Sequence, residues 1–290
     1  MADDTSAPAL PAWFERAVAT PGASHFVTSR GARLHYLAWG LERRVLPGLL
    51  FVHGYRAHAR YWDGIAPYFA GRYRVVAMDL AGMGDSGRRE AYSALGFAQD
   101  IAAVIEDAGL GPAAVVGHSF GGARALRTAA EFPGLIRHVI AVDSICRFAD
   151  SPPSSAGTPR RPRTEPYPDY ASARARYRLT PDQPCDNGYL VDHIARHSLR
   201  REGDGWLWKF DPFLPPGPHE PDAAVVLGGL DVPVDYVRGE FSTVVRQQEA
   251  ERIVACLRHG RGPVVVPQAY HYLMLDQPLA LVAALRALLA

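Results

Sequence analysis

Lysine is almost absent from this chain. Of its 31 basic residues only Lys209 is a lysine, and the rest are arginine. That bias reads as codon usage in a GC-rich genome, not as function. Neither sign of charge dominates, because 30 acidic residues leave a net charge of +1. Bulk electrostatics therefore give no basis for binding nucleic acid or a membrane surface. Cysteine is sparse. Cys146, Cys185 and Cys256 form no C-x-x-C pair and no metal-like spacing, which fits a reducing compartment. No run of about 18 uncharged apolar residues occurs, so no membrane span is expected. The N-terminal "MADDTSAPALPAWFERAV" carries acids early and lacks an apolar core run, so it does not read as a secretory signal. These absences make a cytoplasmic protein the expectation.

Apolar residues are plentiful. They make up 48% of 290 residues, enough to bury a large core. Short β-rich runs recur: "ARLHYLAWG", "GLLFVHG", "YRVVAMDL", "AAVVGHS", "RHVIAVDS", "VDYVRGE" and "PVVVPQA". Helix-period segments lie between several of them. In "FAQDIAAVIEDAGL", Phe97, Ile101, Val104, Ile105 and Ala108 share one face, and Gly109 suits the C-terminal cap. Asp276 reads as the N-cap of the last helix, with Pro278 in its first turn. The alternation argues an α/β fold with a mostly parallel sheet covered on both faces.

Residues 149–231 break that alternation with proline, glycine, arginine and aromatics. "SPPSSAGTPRRPRTEPYPDY" is too proline-rich for a helix. "YASARARYRL" and "GYLVDHIARHSL" read as helical, and "GWLWKFDP" as extended. The region reads as a mainly helical cap inserted between strands. The expected division is an extension over 1–23, a core over 24–148 and 232–290, and the cap between. Trp206, Trp208 and Phe210 either cover a pocket or form the cap's own small core. The arginine run over residues 160–163 reads as a solvated loop rather than an anion site.

Three motifs carry chemistry. Gly117-His118-Ser119-Phe120-Gly121 is a G-x-S-x-G between the strand "AAVV" and the helix "GGARALRTAAEF". A sharp strand-to-helix turn exposes a serine hydroxyl at the tip of a sheet, in front of a helix N-terminus. His53-Gly54-Tyr55 ends the strand "GLLFV". Its turn can aim the Tyr55 N–H beside that of Phe120, as an oxyanion hole. His271 lies in a loop between the last strand and the last helix, where an imidazole can serve as general base and acid. His118 reads as a packing residue. His58, His193 and His197 have no assigned role. "GMGDSG" matches G-x-G-x-x-G at Gly82, Gly84 and Gly87, but the next strand ends in "GHS" and not in a ribose-binding acid. No nucleotide is expected there.

This order of motifs resembles the α/β-hydrolase superfamily: His-Gly at 53, "DLAGMGDSG" at 79–87, "GHSFGG" at 117–122 and a late loop histidine. The resemblance spans the chain from about residue 24 to its end. It implies about eight strands, a cap between strands six and seven, and a Ser–acid–His triad in that order. In the family's commonest pattern the acid follows strand seven, which here is about Ser242, and a serine cannot carry the charge. Glu240 is two residues away. Asp143 ends strand six, where some members of the family place the acid, and it keeps the order Ser119, Asp143, His271. The preceding apolar run puts Asp143 at the sheet's C-terminal edge. Asp143 is the first expectation and Glu240 the alternative. Asp79 reads as an anchor for its own loop.

The expected reaction is acyl transfer to water: Ser119 attacks a carbonyl and His271 shuttles the proton. The substrate expected is a small or medium apolar carboxylic ester. The same parts suit carbon–carbon bond hydrolysis, lactone opening, a lyase such as a hydroxynitrile lyase, or a ligand-binding receptor without activity. The chemistry calls for no metal and no cofactor. A small molecule is the expected partner, and the sequence is compatible with homo-oligomers.

Overall fold

The computed structural model of the protein describes residues 10–151, 163–215 and 221–290. Its strands are β1 Ala23–Ser29, β2 Ala32–Trp39, β3 Gly48–Val52, β4 Arg74–Met78, β5 Ala113–His118, β6 Ile136–Val142, β7 Leu199–Glu202, β8 Gly205–Trp208, β9 Val234–Gly239 and β10 Gly260–Val266. Eight of them form one sheet in the order β1-β2-β4-β3-β5-β6-β9-β10. The β1–β2 and β2–β4 pairs are antiparallel, and every pair from β4 to β10 is parallel. The expected α/β architecture is the one observed.

The sheet is apolar on both faces because both are covered. Along β3, Leu50 and Val52 join one core, while Leu49 and Phe51 join the other. The same period-2 split runs through Val115 and Val116 of β5 and through Val139 and Ile140 of β6. Helices α2 (Ala94–Asp107) and α3 (Phe120–Glu131) cover the first face. The apolar stripe of α2 read from the sequence is buried there, and Gly109 follows the helix at φ 62°. On the second face lie α1 (Ala12–Val18), the short helical turns Ala59–Trp62 and Ala66–Phe69, α8 (Leu273–Asp276) and α9 (Pro278–Leu288).

Between β6 and β9 the chain leaves the sheet. It forms α4 (Tyr170–Arg174), α5 (Gly188–His197), the β7–β8 hairpin and α6 (Ala223–Gly228), and α7 (Gln247–Ala255) follows β9. Trp206 packs edge-on against Tyr170 and Trp208 edge-on against Tyr167, while Trp208 and Phe210 stack in parallel. Trp208 and Phe210 also pack against the cores under the two faces of the sheet, and Phe210 lies under the Arg56 guanidinium, so these half-buried rings join the insertion to the rest of the fold. Helix α4 is shorter than the sequence pattern suggested and ends at Arg174. Of the arginine run, residues 160–162 lie outside the described residues. Arg163 donates to the Glu165 and Pro166 carbonyls. No helix among the described residues is long and apolar enough to cross a membrane.

Strand order decides where a site can form. The chain runs from β3 outward to β4, then crosses back to β5 on the other side of β3. That reversal opens a crevice at the C-terminal ends of β3 and β5. His53-Gly54-Tyr55 and Ser119 follow those two strands. Asp79 anchors the neighbouring loop: it accepts from Ala59 N at 2.6 Å, Asp85 N at 2.8 Å and His35 Nδ1 at 2.7 Å.

Candidate active site

Ser119 sits at φ 52° and ψ −119°, between β5 and α3. A side chain rarely adopts that backbone conformation, and the fold must over-determine it. Two glycines show how. A Cβ on Gly117 would lie 2.5 Å from the Gly122 Cα, and one on Gly121 would lie 2.4 Å from the His53 carbonyl oxygen. Helix α3 therefore starts hard against β3 and β5, and the serine is pushed out at the corner. The Ser119 N–H donates to Val142 O at 2.8 Å, which ties the corner to the end of β6. Ser119 is half-buried, and its hydroxyl makes no hydrogen bond among the described residues.

The loop after β3 is set by His53. Its Nε2 accepts from Leu80 N at 3.0 Å, so the ring proton is on Nδ1, which donates to Gly54 O at 2.7 Å. Burial holds this imidazole below its ordinary pKa. Ala57 N also donates to Gly54 O. A trans peptide points its N–H opposite to its C=O. Fixing the Gly54 carbonyl therefore turns the Tyr55 N–H the other way. Neither the Tyr55 N–H nor the Phe120 N–H is used in a hydrogen bond among the described residues. The Tyr55 ring packs 5.8 Å from that of Phe120, and its hydroxyl donates to Leu214 O.

His271 is 4% exposed and Asp143 fully buried. His271 Nδ1 lies 2.6 Å from Asp143 Oδ2. A carboxylate oxygen only accepts, so Nδ1 carries the proton and Nε2 keeps a lone pair. Asp143 has φ 46°, and its N–H donates to Val237 O at 2.8 Å. His118, the residue before the serine, is buried. Its Nε2 lies 2.9 Å from His271 O, and the two rings are 4.7 Å apart. Burial, with His271 beside it, keeps the His118 imidazole well below its ordinary pKa. His118 is thus a neutral support for the His271 loop.

Glu240 is elsewhere. It is exposed, and its Oε2 accepts from Gln268 N at 2.9 Å. Its neighbour has the larger part. Ser242 Oγ donates to Asp143 Oδ2 at 2.6 Å, and it receives Val244 N and Val245 N at 3.3 and 3.4 Å. Those two donors occupy the hydroxyl's lone pairs, so its proton goes to the carboxylate. The serine that cannot replace the acid instead helps to aim it. If this bond aims His271, Ser242→Ala will lower kcat about tenfold with little change in KM, since a hydrogen bond to a charged group contributes about 1.5–3 kcal/mol. Ser242→Thr will keep the wild-type value. Steady-state kinetics on the three proteins decide it.

The insertion also holds the His271 loop, and no local motif announced this. Tyr272 N donates to Gln183 Oε1 at 3.1 Å, and Asn187 Nδ2 donates to Leu275 O at 2.7 Å. Asp276 does not cap the last helix, whose N-cap is Gln277. Its carboxylate turns back to accept Tyr270 N at 2.8 Å and Gln183 Nε2 at 2.9 Å. Burial pushes its pKa up to about 6.

Comparison with known proteins bears on the fold and the family. An esterase of Mycobacterium tuberculosis is 29% identical over 266 residues, which is 87% of this chain and 85% of the relative. A 2-(acetamidomethylene)succinate hydrolase of Mesorhizobium japonicum is 35% identical over 241 residues, 78% of this chain and 82% of its own. The crystal structure of the mycobacterial esterase superposes with a TM-score of 0.74 at 26% identity, covering 96% of each chain. A thioesterase domain from the curacin biosynthetic pathway also superposes at 0.74, with 25% identity, over 91% of this chain and 99% of that one. Residues 49–285 match the family described as the alpha/beta hydrolase family, and the chain belongs to that family.

Proposed function

We propose that the protein is a serine hydrolase that cleaves carboxylic esters through an acyl-enzyme on Ser119. One observation carries the reading: an imidazole bonded through Nδ1 to a buried carboxylate, beside a serine in a strained strand-to-helix turn. In this mechanism His271 Nε2 takes the Ser119 proton as Oγ attacks the ester carbonyl. The Tyr55 and Phe120 N–H groups, both unspent, receive the oxyanion. His271 then protonates the leaving alcohol. A water, deprotonated by the same nitrogen, releases the acid. Asp143 holds the ring in the useful tautomer and stabilises its cation. The Ser119–His271 hydrogen bond forms as substrate seats, since such bonds are commonly long before binding.

Residues 149–231 act as a cap in this reading, because Gln183 and Asn187 hold the loop that carries His271. The substrate is a small or medium apolar ester, and the enzyme works in the cytoplasm. The relative named for 2-(acetamidomethylene)succinate favours a second reading, a small carboxylate-bearing substrate cleaved by the same residues. A panel of p-nitrophenyl esters of short and medium chain, run beside half-esters of dicarboxylic acids, separates the two. The first reading expects kcat/KM to rise with chain length and to fall when a carboxylate is added. The reverse ranking favours the second, and no turnover of any member contradicts both.

A further inference from the structure

Away from Ser119, two imidazoles and a carboxylate converge where the insertion meets the core. Asp63 closes the helical turn Ala59–Trp62 that follows β3. His193 and His197 stand one turn apart on α5, so both project from one side of that helix. His193 Nε2 lies 2.9 Å from Asp63 Oδ2, and the two imidazole rings are 4.8 Å apart. One nitrogen or oxygen of each residue lies within 4.8 Å of those of the other two. Asp63 is buried and the histidines are half-buried, so the cluster is enclosed on one side and open to ion entry on the other.

A similar group, His35, Asp79 and Asp85, is already spent on structure. Asp79 accepts three hydrogen bonds, and Asp85 pairs with Lys209 at 2.7 Å. Asp63 is less committed. Only Arg60 Nη1, at 3.3 Å, and His193 hydrogen-bond to it among the described residues, both at Oδ2.

The geometry points to a divalent transition-metal site formed by Asp63, His193 and His197. Two imidazoles and one carboxylate suit Zn²⁺, Ni²⁺ or Cu²⁺, whereas Mg²⁺ and Ca²⁺ call for oxygen donors throughout. The ion takes the lone pair of His193 Nε2, so that ring moves its proton to Nδ1 and its hydrogen bond to Asp63 gives way to the metal. Arg60 is repelled and swings toward solvent. Three protein ligands leave coordination positions for water. The site spans two parts of the fold, since Asp63 belongs to the segment after β3 and α5 to the insertion. The same helix is already tied down at its end, where His58 Nε2 meets Ser198 Oγ at 2.9 Å. A bound ion therefore clamps the insertion to the core and stabilises the folded chain by mass action. It takes no part in the acyl-transfer chemistry.

The test is to titrate the chelator-stripped, full-length protein with Zn²⁺, reading stoichiometry by native mass spectrometry and Tm by thermal unfolding. One tightly held ion per chain and a rise of several degrees in Tm are expected, with no rise from Mg²⁺. His197→Ala leaves the Asp63–His193 hydrogen bond in place, so its metal-free Tm should stay near the wild-type value. Its Zn²⁺ affinity should drop about tenfold or more, because even outer-shell partners of metal ligands are worth that much. Arg60→Gln should bind more tightly, and it provides the check if His197→Ala folds poorly. Wild-type protein that gains no Tm with Zn²⁺ would overturn the proposal. So would His197→Ala holding the ion as well as wild type, or Arg60→Gln binding it no better.

Discussion

Ser119→Ala will lower kcat for ester hydrolysis by about 10,000-fold or more while leaving the thermal unfolding curve near that of wild type. The first part follows from chemistry. Without Oγ there is no acyl-enzyme, and only the two oxyanion donors and substrate binding remain, which alone leave a residual rate above that in water. The second part follows from the backbone. Alanine also carries a Cβ, so the strain at φ 52° is the same in both proteins. Ser119 makes no side-chain hydrogen bond among the described residues whose loss would show in stability. Ester kinetics with a calorimetric or circular-dichroism melt check both parts. A variant that keeps its fold and most of its turnover would remove Ser119 from the mechanism.

Asp143→Asn should cost about 1,000- to 10,000-fold in kcat, and Glu240→Gln less than about twofold. An amide at position 143 can turn its NH₂ toward His271 Nδ1. That ring must then protonate on Nε2, the nitrogen needed to take the serine proton. At position 240 the change is mild. Gln keeps an oxygen for the Gln268 N–H, and the residue is exposed. The opposite result, a large loss in Glu240→Gln with Asp143→Asn nearly normal, would move the acid to the strand after the insertion.

Local patterns made much of this legible. Ser119 and Gly54 sit just past the ends of apolar strands and His271 in the loop after the last strand, and strand ends are readable because apolar runs stop at glycines and polar residues. Asp143 was readable for the same reason, as the residue that stops "RHVIAV". The choice between Asp143 and Glu240 was not, because it turns on side-chain direction. Residue 240 is the first after β9, yet its carboxylate folds onto the Gln268 amide. The bond from Ser242 to Asp143 crosses 99 positions and carries no local signature. Asp276 misled for an instructive reason. An aspartate before "QPLALVAALRALLA", with Pro278 in the first turn, fits an N-cap, but the Tyr270 amide and Gln183 compete for its oxygens and win. Gln183 itself lies in the insertion, whose irregular sequence gives no periodicity from which contacts can be read.

The central claim is that Ser119 is a nucleophile activated by His271 and Asp143. Incubating the protein with a fluorophosphonate and mapping the adduct by peptide mass spectrometry tests it most directly. The account predicts one adduct per chain, on the peptide that contains Ser119, forming far more slowly in Asp143→Asn. An unmodified Ser119 peptide, or an adduct that forms as fast without the Asp143 carboxylate, would contradict it.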